Sequence, residues 1–551
     1  MKKLSLVLML AVLCACTPQN LFGPTNFAPT SAKPTNTSAA SADIPTYLPT
    51  AMSAPTESAV APTTTPIGDS IWIGAAVPAA LAQQALASGL TLSTDESTAG
   101  TKLDVSAEQG ATWIYALVAP FPTLADDVLF ADVESSWKGV QAGPFAGRAI
   151  WMSDSTRAAF TSVWGEPASG AVQTARADKL VDAAWANRPS WAILPFEDVE
   201  PRWKVLSVDG GSPIHKNFNA ENYPLKINFA LQLSNLQPAT FTLPATNRDA
   251  SKLATVILTG VTALVRATAR TMDVKGITYP GEDVRDIFIE ADILHINNEV
   301  PFYGGCPDPD PKQSSLVFCS AARYINLFTY IGADVIELSG DHFANYGAEA
   351  MRETMKIYKD NGFKTYGGGL NIFEGRAPLL LEVNGNKIMF IGCNIKKIYA
   401  TATETRPGSV PCDFEYSTAQ IAQHRAEGYL PIATFQYHEY PDPAVRPEQQ
   451  IDFRRMADAG ALIVSGSQAH LPQGMEFYNG AFIHYGLGNL FFDQMNSINR
   501  LEFIDRHVFY DGKYLGLELL TAKLEDFSQP NWMNAAERLK FLGDYFLISG
   551  W

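Results

Sequence analysis

A repeated order of strand, polar cluster and helix in residues 252–551 constrains the fold of this chain more than any other feature. Helical stretches separate short apolar runs, and each run has the length of a buried strand. The predicted strands are 255–259, 293–296, 334–338, 431–435 and 461–464. This alternation predicts an α/β fold whose mostly parallel sheet is covered on both faces.

Polar residues follow four of these strands, at 297–299, 339–347, 436–440 and 465–470. Ligands of open α/β sheets bind in the crevice outside the carboxyl ends of the strands, so we expect the four clusters to converge there. Their carboxylate, imidazole and carboxamide groups suit a divalent cation such as Mn, Zn, Fe or Mg. Two such cations about 4 Å apart would hold a phosphoryl group and activate a water molecule.

Each cluster by itself also has a structural interpretation. Asp341 and His342 have the residue types of a turn or a helix start, and His470 is compatible with a hydrogen-bonded core histidine. His438 and Glu439 are compatible with a surface pair. The succession of four clusters after four strands favours a functional site.

The first residues predict export. Lys2 and Lys3 precede an apolar stretch at 4–13, which is the order of a signal peptide and is too short to span a bilayer. The stretch ends in Leu-Cys-Ala-Cys, which looks like a bacterial lipobox with Cys16 as the lipidated residue. The alternative is an ordinary secretory signal with a nearby cysteine. The lipobox interpretation of residues 1–16 predicts a lipid anchor in a bacterial membrane, on its extracytoplasmic face.

Residues 17–68 are predicted to be an extended tether between this anchor and the folded chain. Between positions 17 and 66 lie 9 proline and 11 threonine residues and only three charged side chains. Such a segment cannot bury enough apolar surface to offset the entropy that is lost on ordering. The folded part is therefore expected to begin near residue 69.

The charge of the whole chain limits the classes of partner. Its 41 Lys and Arg residues against 57 Asp and Glu residues give a net charge of −16, which argues against a nucleic-acid partner. The same balance tolerates metal cations. No later apolar run reaches about 18 residues, the length that a membrane-spanning helix needs.

Residues 69–240 are predicted to form a smaller α/β domain. Apolar runs alternate with helical stretches there, and 174–187 is a candidate helix. The segments 195–197 and 205–210 resemble parts of bacterial periplasmic solute-binding modules. Any α/β domain contains such pieces, so the resemblance carries no chemical signature. A break around 237–251 separates this part from the domain predicted at 252–551.

The cysteines indicate two disulfides. Once Cys14 and Cys16 are assigned to the signal peptide and the lipid, an even number remains in an exported chain. Three pairings are open, and local loop closure favours Cys306–Cys319 and Cys393–Cys412. A thiolate zinc site is the alternative, but the spacings do not suit one.

Five segments of the second part, taken in order, resemble the bacterial poly-γ-glutamate capsule-synthesis proteins of the CapA type (PGA_cap). The segments are 291–299, 337–347, 366–371, 466–473 and 485–494. The resemblance implies a calcineurin-like metallophosphatase fold, which is an α/β/β/α sandwich. It also implies a role in the synthesis, export or anchoring of an anionic cell-surface polymer such as poly-γ-glutamate, together with capsule machinery.

Most site residues follow from the matched positions. Glu299 matches the end of the family's Asn-Leu-Glu segment, and Asp341 with His342 matches its Asn-His pair, which in phosphatases supplies a metal ligand and a general acid. Glu439 matches its Glu-Tyr and His470 the last histidine of its Gly-His-x-His. The predicted residues are His342, Asp341 and Glu299 for catalysis, Asp341, His438, Glu439 and His470 for the metal, and Asn297, Asn345, Arg266, Gln468 and Asn489 for the substrate. Arg266 is included because it lies just past the first strand, where it could pair with a phosphate or carboxylate, and a solvated arginine is the alternative.

Several positions depart from the family pattern. The family's opening Gly-Asp is Gly260-Val261 here, and a valine cannot bind a metal. The first histidine of the family's His-Trp-Gly segment is Phe435, with His438 displaced by three residues, and the Gly-His-x-His segment keeps only His470. Ligands of a two-metal centre are therefore missing or replaced.

Three functions stay open at this stage. The first is metal-assisted hydrolysis or transfer at a phosphoester, or at an amide of an anionic polymer. The second is a non-catalytic cleft that recognises a polymer or an envelope partner. The third is a solute receptor that acts through the domain at 69–240.

Overall fold

Long buried strands organise the chain, and the computed structural model describes residues 70–108, 110–233, 242–396 and 399–551. The predicted signal peptide (1–16), the lipidated Cys16 and the tether (17–68) lie outside the described residues. None of the helices described is both long and apolar enough to cross a membrane.

The first half is α/β, as the sequence predicts. Its strands are β1 (Ser70–Ile73), β2 (Thr91–Leu92), β3 (Thr101–Val105), β4 (Ala111–Pro120), β5 (Asp127–Val128), β6 (Ile150–Met152), β7 (Val172–Thr174), β8 (Trp191–Pro195), β9 (Trp203–Val205), β10 (Ser207–Val208) and β11 (Lys226–Leu233). Its helices are α1 (Ala79–Ala87), α2 (Phe130–Trp137), α3 (Asp154–Trp164) and α4 (Leu180–Ala186). The main sheet has the order β2-β1-β3-β11-β4-β8-β6-β7, with β9 paired to β4.

The second half contains the remaining elements. Its strands are β12 (Leu253–Leu258), β13 (Val261–Thr262), β14 (Ile293–Asn298), β15 (Phe302–Tyr303), β16 (Ser320–Ala321), β17 (Val335–Glu337), β18 (Lys364–Tyr366), β19 (Gly368–Gly369), β20 (Leu379–Val383), β21 (Asn386–Asn394), β22 (Gly408–Ser409), β23 (Leu430–Gln436), β24 (Ile463–Ser467), β25 (Met475–Tyr478), β26 (Ala481–His484), β27 (Asn489–Phe491), β28 (Leu501–Tyr510), β29 (Lys513–Glu525) and β30 (Gln529–Trp532). Its helices are α5 (Arg266–Lys275), α6 (Arg285–Glu290), α7 (Ile325–Ile331), α8 (Gly347–Asp360), α9 (Ile372–Arg376), α10 (Phe414–Ala426), α11 (Pro447–Asp458) and α12 (Ala535–Ile548).

These strands form two large mixed sheets rather than the one mostly parallel sheet that the alternation predicts. The first has the order β18-β17-β14-β12-β28-β29-β30, and its strands β18, β17, β14 and β12 are parallel. The second has the order β20-β21-β23-β24-β26-β25, with β21, β23, β24 and β26 parallel. The antiparallel strands lie at the outer positions, where hairpins extend each sheet.

The two sheets pack face to face between layers of helices. Val256 and Ile257 are neighbours in β12 and point to opposite faces, as successive residues of a strand do. Val256 joins the core between the sheets with Ile432 of β23, whereas Ile257 joins the core under α5 to α8. Ala433 of β23 joins a third core with Phe453 of α11. The α/β/β/α sandwich that the resemblance implies is thereby confirmed.

Local predictions agree with the structure to different degrees. Apolar runs flank Asn384-Gly385 in the sequence, which predicts a two-residue hairpin. Both residues have positive φ and join β20 to β21 in this way. The helix predicted at 174–187 is shorter, because Thr174 ends strand β7 and Ala177–Lys179 forms a 3-10 turn before α4. Cys306–Cys319 and Cys393–Cys412 are disulfide-bonded, as the favoured pairing predicts.

The two halves share apolar packing. The described residues of both halves group into one compact unit. The core of the first half includes Leu253, Val508, Tyr510 and Leu515 from the second half. The division into domains at 69–240 and 252–551 stays a prediction, and so do the solute-binding likeness and the receptor role of the first half.

A buried polar cluster lies between the two large sheets. Nδ1 of His484 is 2.7 Å from Asp505 Oδ2, and Nδ1 of His507 is 2.9 Å from the Tyr514 hydroxyl. Burial lowers the pKa of His507 to about 4, although the charge of Asp505 acts in the opposite direction. The folded chain therefore keeps His507 neutral at a pH where the unfolded chain protonates it.

This cluster predicts acid sensitivity of the fold. Between the unfolded pKa near 6.5 and the folded pKa near 4, the unfolded chain binds the additional proton, so stability decreases as the pH falls. His507 alone accounts for up to about 3 kcal/mol over this range. His507→Gln should flatten the dependence of the unfolding free energy on pH, as measured by urea denaturation between pH 6.5 and 4.5. The control His424→Gln, outside the cluster, should keep the wild-type slope, and an unchanged slope in His507→Gln would contradict the assignment.

Candidate metal centre

Strand ends from both large sheets meet at one cleft. Glu299 directly follows β14, and Asp341 and His342 follow β17 of the same sheet. Gln468 and His470 follow β24 of the other sheet. The convergence predicted from the sequence is therefore present, but it joins two sheets instead of lying along the edge of one. This arrangement lets side chains from distant parts of the sequence face each other.

Three potential metal ligands face each other in this cleft. Glu299, Asp341 and His342 form a group in which one ligand atom of each residue lies within 4.8 Å of the other two. Nε2 of His342 is 3.7 Å from Oε1 of Glu299 and 3.9 Å from Oδ1 of Asp341. Both carboxylate oxygens are buried and have no hydrogen-bond partner in the part of the chain that the structure describes. Since buried polar atoms are normally paired, these three residues fit a divalent cation.

Asn345 orients His342 for this role. Oδ1 of Asn345 accepts a 2.7 Å hydrogen bond from the backbone N–H of Phe318, which identifies it as the oxygen of the amide. The same oxygen is 2.8 Å from Nδ1 of His342, so Nδ1 must carry the hydrogen in that contact. Nε2 of a neutral His342 is then left with its lone pair directed at the two carboxylates. A ligating histidine is commonly held in this way.

His470 is oriented by the same principle. Nδ2 of Asn489 donates to the backbone carbonyls of His470 and Asn499, so Oδ1 of Asn489 is the atom that lies 2.9 Å from Nδ1 of His470. Nε2 of His470 then faces Oε2 of Glu299 at 3.9 Å. Gln468 and His470 have φ angles of +82° and +56°, a conformation that non-glycine residues rarely adopt and that concentrates at functional sites.

Burial dominates the electrostatics of Glu299. Its side chain is fully buried, and burial raises the pKa of this carboxyl well above its usual range. The neighbouring charge of Asp341 raises that pKa further, while Lys396 and Arg266 act in the opposite direction. A buried carboxylate next to a second carboxylate favours either a proton or a bound cation.

The second oxygen of Asp341 faces another set of groups. Nζ of Lys396 donates to this Oδ2 at 3.0 Å and to Oε1 of Glu439 at 3.1 Å. Nε2 of Gln468 donates to the same two oxygens at 3.2 Å and 3.0 Å. The predicted metal ligand Glu439 is thus held by hydrogen-bond donors, and the predicted substrate-binding Gln468 contacts carboxylates.

Other predicted site residues lie around the group without joining it. The side chain of His438 is exposed and contacts the rings of Tyr437 and Tyr440. Arg266 forms a two-pronged ion pair with Asp493, so its guanidinium is already engaged. Nδ2 of Asn297 donates to Glu337 and Ser467. The metal role of His438 and the substrate roles of Arg266 and Asn297 stay predictions.

An apolar cluster borders His342 and His470 where the family pattern has an aspartate. Val261 is fully buried in a cluster with Ala263, Val265, Val300, Phe318 and Phe492. A carboxylate in place of Val261 would lose its solvent without gaining a partner there. The apolar surroundings therefore suit Val261 better than the aspartate of the family pattern.

One family model matches most of the second half of the chain. Residues 255–494 match the family model of the bacterial capsule synthesis protein PGA_cap. We call this part of the chain the PGA_cap domain, after the family model that it matches. The PGA_cap domain contains all of the site residues described above.

Two curated relatives illustrate the similarity. The capsule biosynthesis protein CapA of Bacillus anthracis is 25% identical over 257 residues, which cover 46% of this chain and 62% of that protein. The PGA biosynthesis protein CapA of Bacillus subtilis (strain 168) is 31% identical over 166 residues, which cover 29% of this chain and 43% of that protein. The matches thus span less than two thirds of either relative. A solved 5′-nucleotidase precursor from Thermus thermophilus aligns with 12% identity and a TM-score of 0.33, over 54% of this chain and 58% of that one.

Sequence reasoning assigned no role to two residues that shape the site of the PGA_cap domain. Lys396 follows β21 as the polar clusters follow their strands, and that position is the signal that would have identified it. Asp493 lies in the motif segment 485–494. Its carboxylate accepts from Arg266 and from the backbone N–H of Ala267. Only the folded chain shows these contacts, because the partners are far apart in sequence.

The geometry predicts which substitutions in the PGA_cap domain remove a metal. Glu299→Gln or His342→Asn should weaken binding of Mn²⁺ or Zn²⁺ by about 100-fold or more, because each replaces a carboxylate or imidazole ligand with a weakly binding amide. Even outer partners account for about 10- to 100-fold. His438→Asn and Glu349→Gln, which alter exposed side chains of the same types, should bind the metal as the wild type does. Isothermal titration calorimetry of the metal-depleted chain measures the difference, and equal losses in the His342 and His438 variants would contradict the assigned ligands.

Proposed function

We propose that this chain is a capsule-synthesis accessory protein that acts on an anionic polymer, such as poly-γ-glutamate, or on its phosphoester precursor. The chain carries a PGA_cap domain, and the function is proposed for the metal centre of that domain. The observation that carries the proposal is the convergence of ligand atoms from Glu299, Asp341 and His342 at the strand ends, where the two carboxylate oxygens have no hydrogen-bond partner within the described residues. A lipid on Cys16 would hold the chain at the extracytoplasmic face of the membrane.

The residues of the cleft support hydrolysis or group transfer. A divalent cation held by Glu299, Asp341 and His342 would supply Lewis-acid polarisation of a phosphoryl or carbonyl oxygen. Asn345 keeps the hydrogen of His342 on Nδ1, away from the ligand face. Asn489 does the same for His470, whose unprotonated Nε2 accepts a proton from the attacking water. Burial lowers the pKa of His470, although the hydrogen bond to Asn489 opposes the shift, and it remains neutral for this role.

A non-catalytic function is supported by a separate observation. Val261 and Gln468 stand where the family pattern has an aspartate and a histidine, and neither side chain is a strong metal ligand. A cleft with a reduced ligand set can retain a cation and use it only to bind carboxylate groups of a polymer. This second candidate shares the metal centre with the first but predicts no turnover.

Turnover and metal content together test the proposal. The full chain, purified in mild detergent and loaded with Mn²⁺ or Zn²⁺, should release p-nitrophenol from p-nitrophenyl phosphate or shorten poly-γ-glutamate on gels. His470→Gln should retain the metal and lose about 100-fold or more of the rate, because a positioned base contributes at least that factor. Glu349→Gln should keep the wild-type rate.

The remaining outcomes separate the two candidates. Protein that holds a metal and binds poly-γ-glutamate, but cleaves neither substrate, would contradict catalysis and support the binding function. Folded protein without metal under these conditions would overturn both. Chelation by EDTA should abolish rate or binding, whichever is present.

A further inference from the structure

We infer that Lys396 supplies a fixed second positive charge at this centre, so that the PGA_cap domain binds one metal ion and uses an ammonium where a second ion would otherwise lie. The inference rests on the metal centre of the proposed function. It also assigns the ammonium a ligand class, namely the carboxylate or phosphoryl oxygens of the bound polymer or precursor.

Asp341 lies between the two positive charges. Its Oδ1 faces Glu299 and His342, and its Oδ2 accepts from Nζ of Lys396 at 3.0 Å. Oε1 of Glu439 accepts from the same ammonium at 3.1 Å. Asp341 thus bridges the three-ligand group and the ammonium, which is the position of a carboxylate shared by two cations in a two-metal site.

The side-chain amide of Gln468 presents a hydrogen at a position where a metal ion would need a lone pair. Nε2 of Gln468 donates to Oδ2 of Asp341 and to Oε1 of Glu439 at 3.2 Å and 3.0 Å. Carboxylate oxygens only accept, so the amide must turn its nitrogen toward them. Its oxygen in turn accepts from Nε2 of Gln436. This side of the cleft is therefore lined with donors that satisfy an anion and repel a metal cation.

The lysine is held in place by its own segment. Its backbone N–H donates to Oδ1 of Asn394 at 2.7 Å, and Nδ2 of Asn394 donates to the carbonyl of Ser339, two residues before Asp341. The neighbouring Cys393 is bonded to Cys412. The base of the Lys396 side chain is therefore tied to the same loop that carries its carboxylate partner.

Charge and exposure support a role in ligand binding. Glu299, Asp341 and Glu439 can carry three negative charges, which one divalent cation and one ammonium match, whereas a further divalent ion would lie beside Lys396 and be repelled. Of the three ammonium hydrogens, two are used on Asp341 and Glu439 within the described chain. The Lys396 side chain is 23% exposed, so a ligand oxygen can reach the third hydrogen.

Metal stoichiometry tests the exclusion of a second ion. The wild-type full chain, loaded with Mn²⁺ or Zn²⁺ and dialysed, should contain one ion per chain by mass spectrometry. The double variant Gln436→His, Gln468→His should still contain one because the ammonium remains. Addition of Lys396→Ala to that pair should raise the content to two. Two ions in a folded chain that retains Lys396, or one ion in the triple variant, would overturn the inference.

Inorganic phosphate tests the ligand role without relying on those designed histidines. In metal-loaded protein, Lys396→Met should weaken phosphate binding by about tenfold or more, because a charge-assisted hydrogen bond is lost. Lys396→Arg should restore part of the affinity. Lys387→Met, which alters an exposed lysine of the preceding strand β21, should change nothing.

Each outcome points to a single conclusion. Unchanged phosphate affinity in a folded Lys396→Met variant that holds one metal would overturn the ligand role while leaving the proposed function intact. A wild-type chain without metal would instead remove the proposed function and this inference together. Circular dichroism and thermal unfolding of each variant establish that it is folded.

Discussion

The burial of the Glu299 carboxylate at the junction of two sheets is the constraint on which the rest of the site depends. A carboxylate without solvent must be neutralised by a proton or matched by a cation. Oε1 of Glu299 faces His342 and Asp341, and no hydrogen bond within the described residues occupies it. Asn345 and Asn489 then direct the lone pairs of two histidines toward the same carboxyl group. The fold is arranged around an unsatisfied negative charge, which is the usual condition for a cation site.

Asp341 divides the cleft into two electrostatic environments. One of its oxygens faces ligand atoms that can accept a metal, and the other is bound by the ammonium of Lys396 and the amide of Gln468. Replacement of a metal by an ammonium keeps the positive charge and removes the requirement for further ligands. Val261 and Gln468, which offer neither a carboxylate nor an imidazole, fit a cleft that holds one ion and a lysine.

Prediction from the sequence succeeded where neighbouring residues along the chain decide the structure. Apolar runs predict the strands that precede Glu299, Asp341 and Gln468. The turn at Asn384-Gly385 depends on two residues alone. Prediction from the sequence was less complete where segments that are distant along the chain meet. The pairing of Arg266 with Asp493 joins residues 227 positions apart, and no local pattern indicates it. The exposure of His438 likewise depends on how its loop leaves β23.

The sequence by itself determined the α/β class, the local disulfide loops, the PGA_cap motifs and the list of candidate ligands, because each of these depends on residue type and short spacing. Only the tertiary structure decided that the strand ends come from two sheets, that Glu299, Asp341 and His342 form the metal group, and that Lys396 lies against Asp341. The physical reason is that charge matching acts over a few ångströms in space. Packing of the two sheets brings together the groups that surround a buried carboxylate. The order of those groups along the chain does not indicate that they meet.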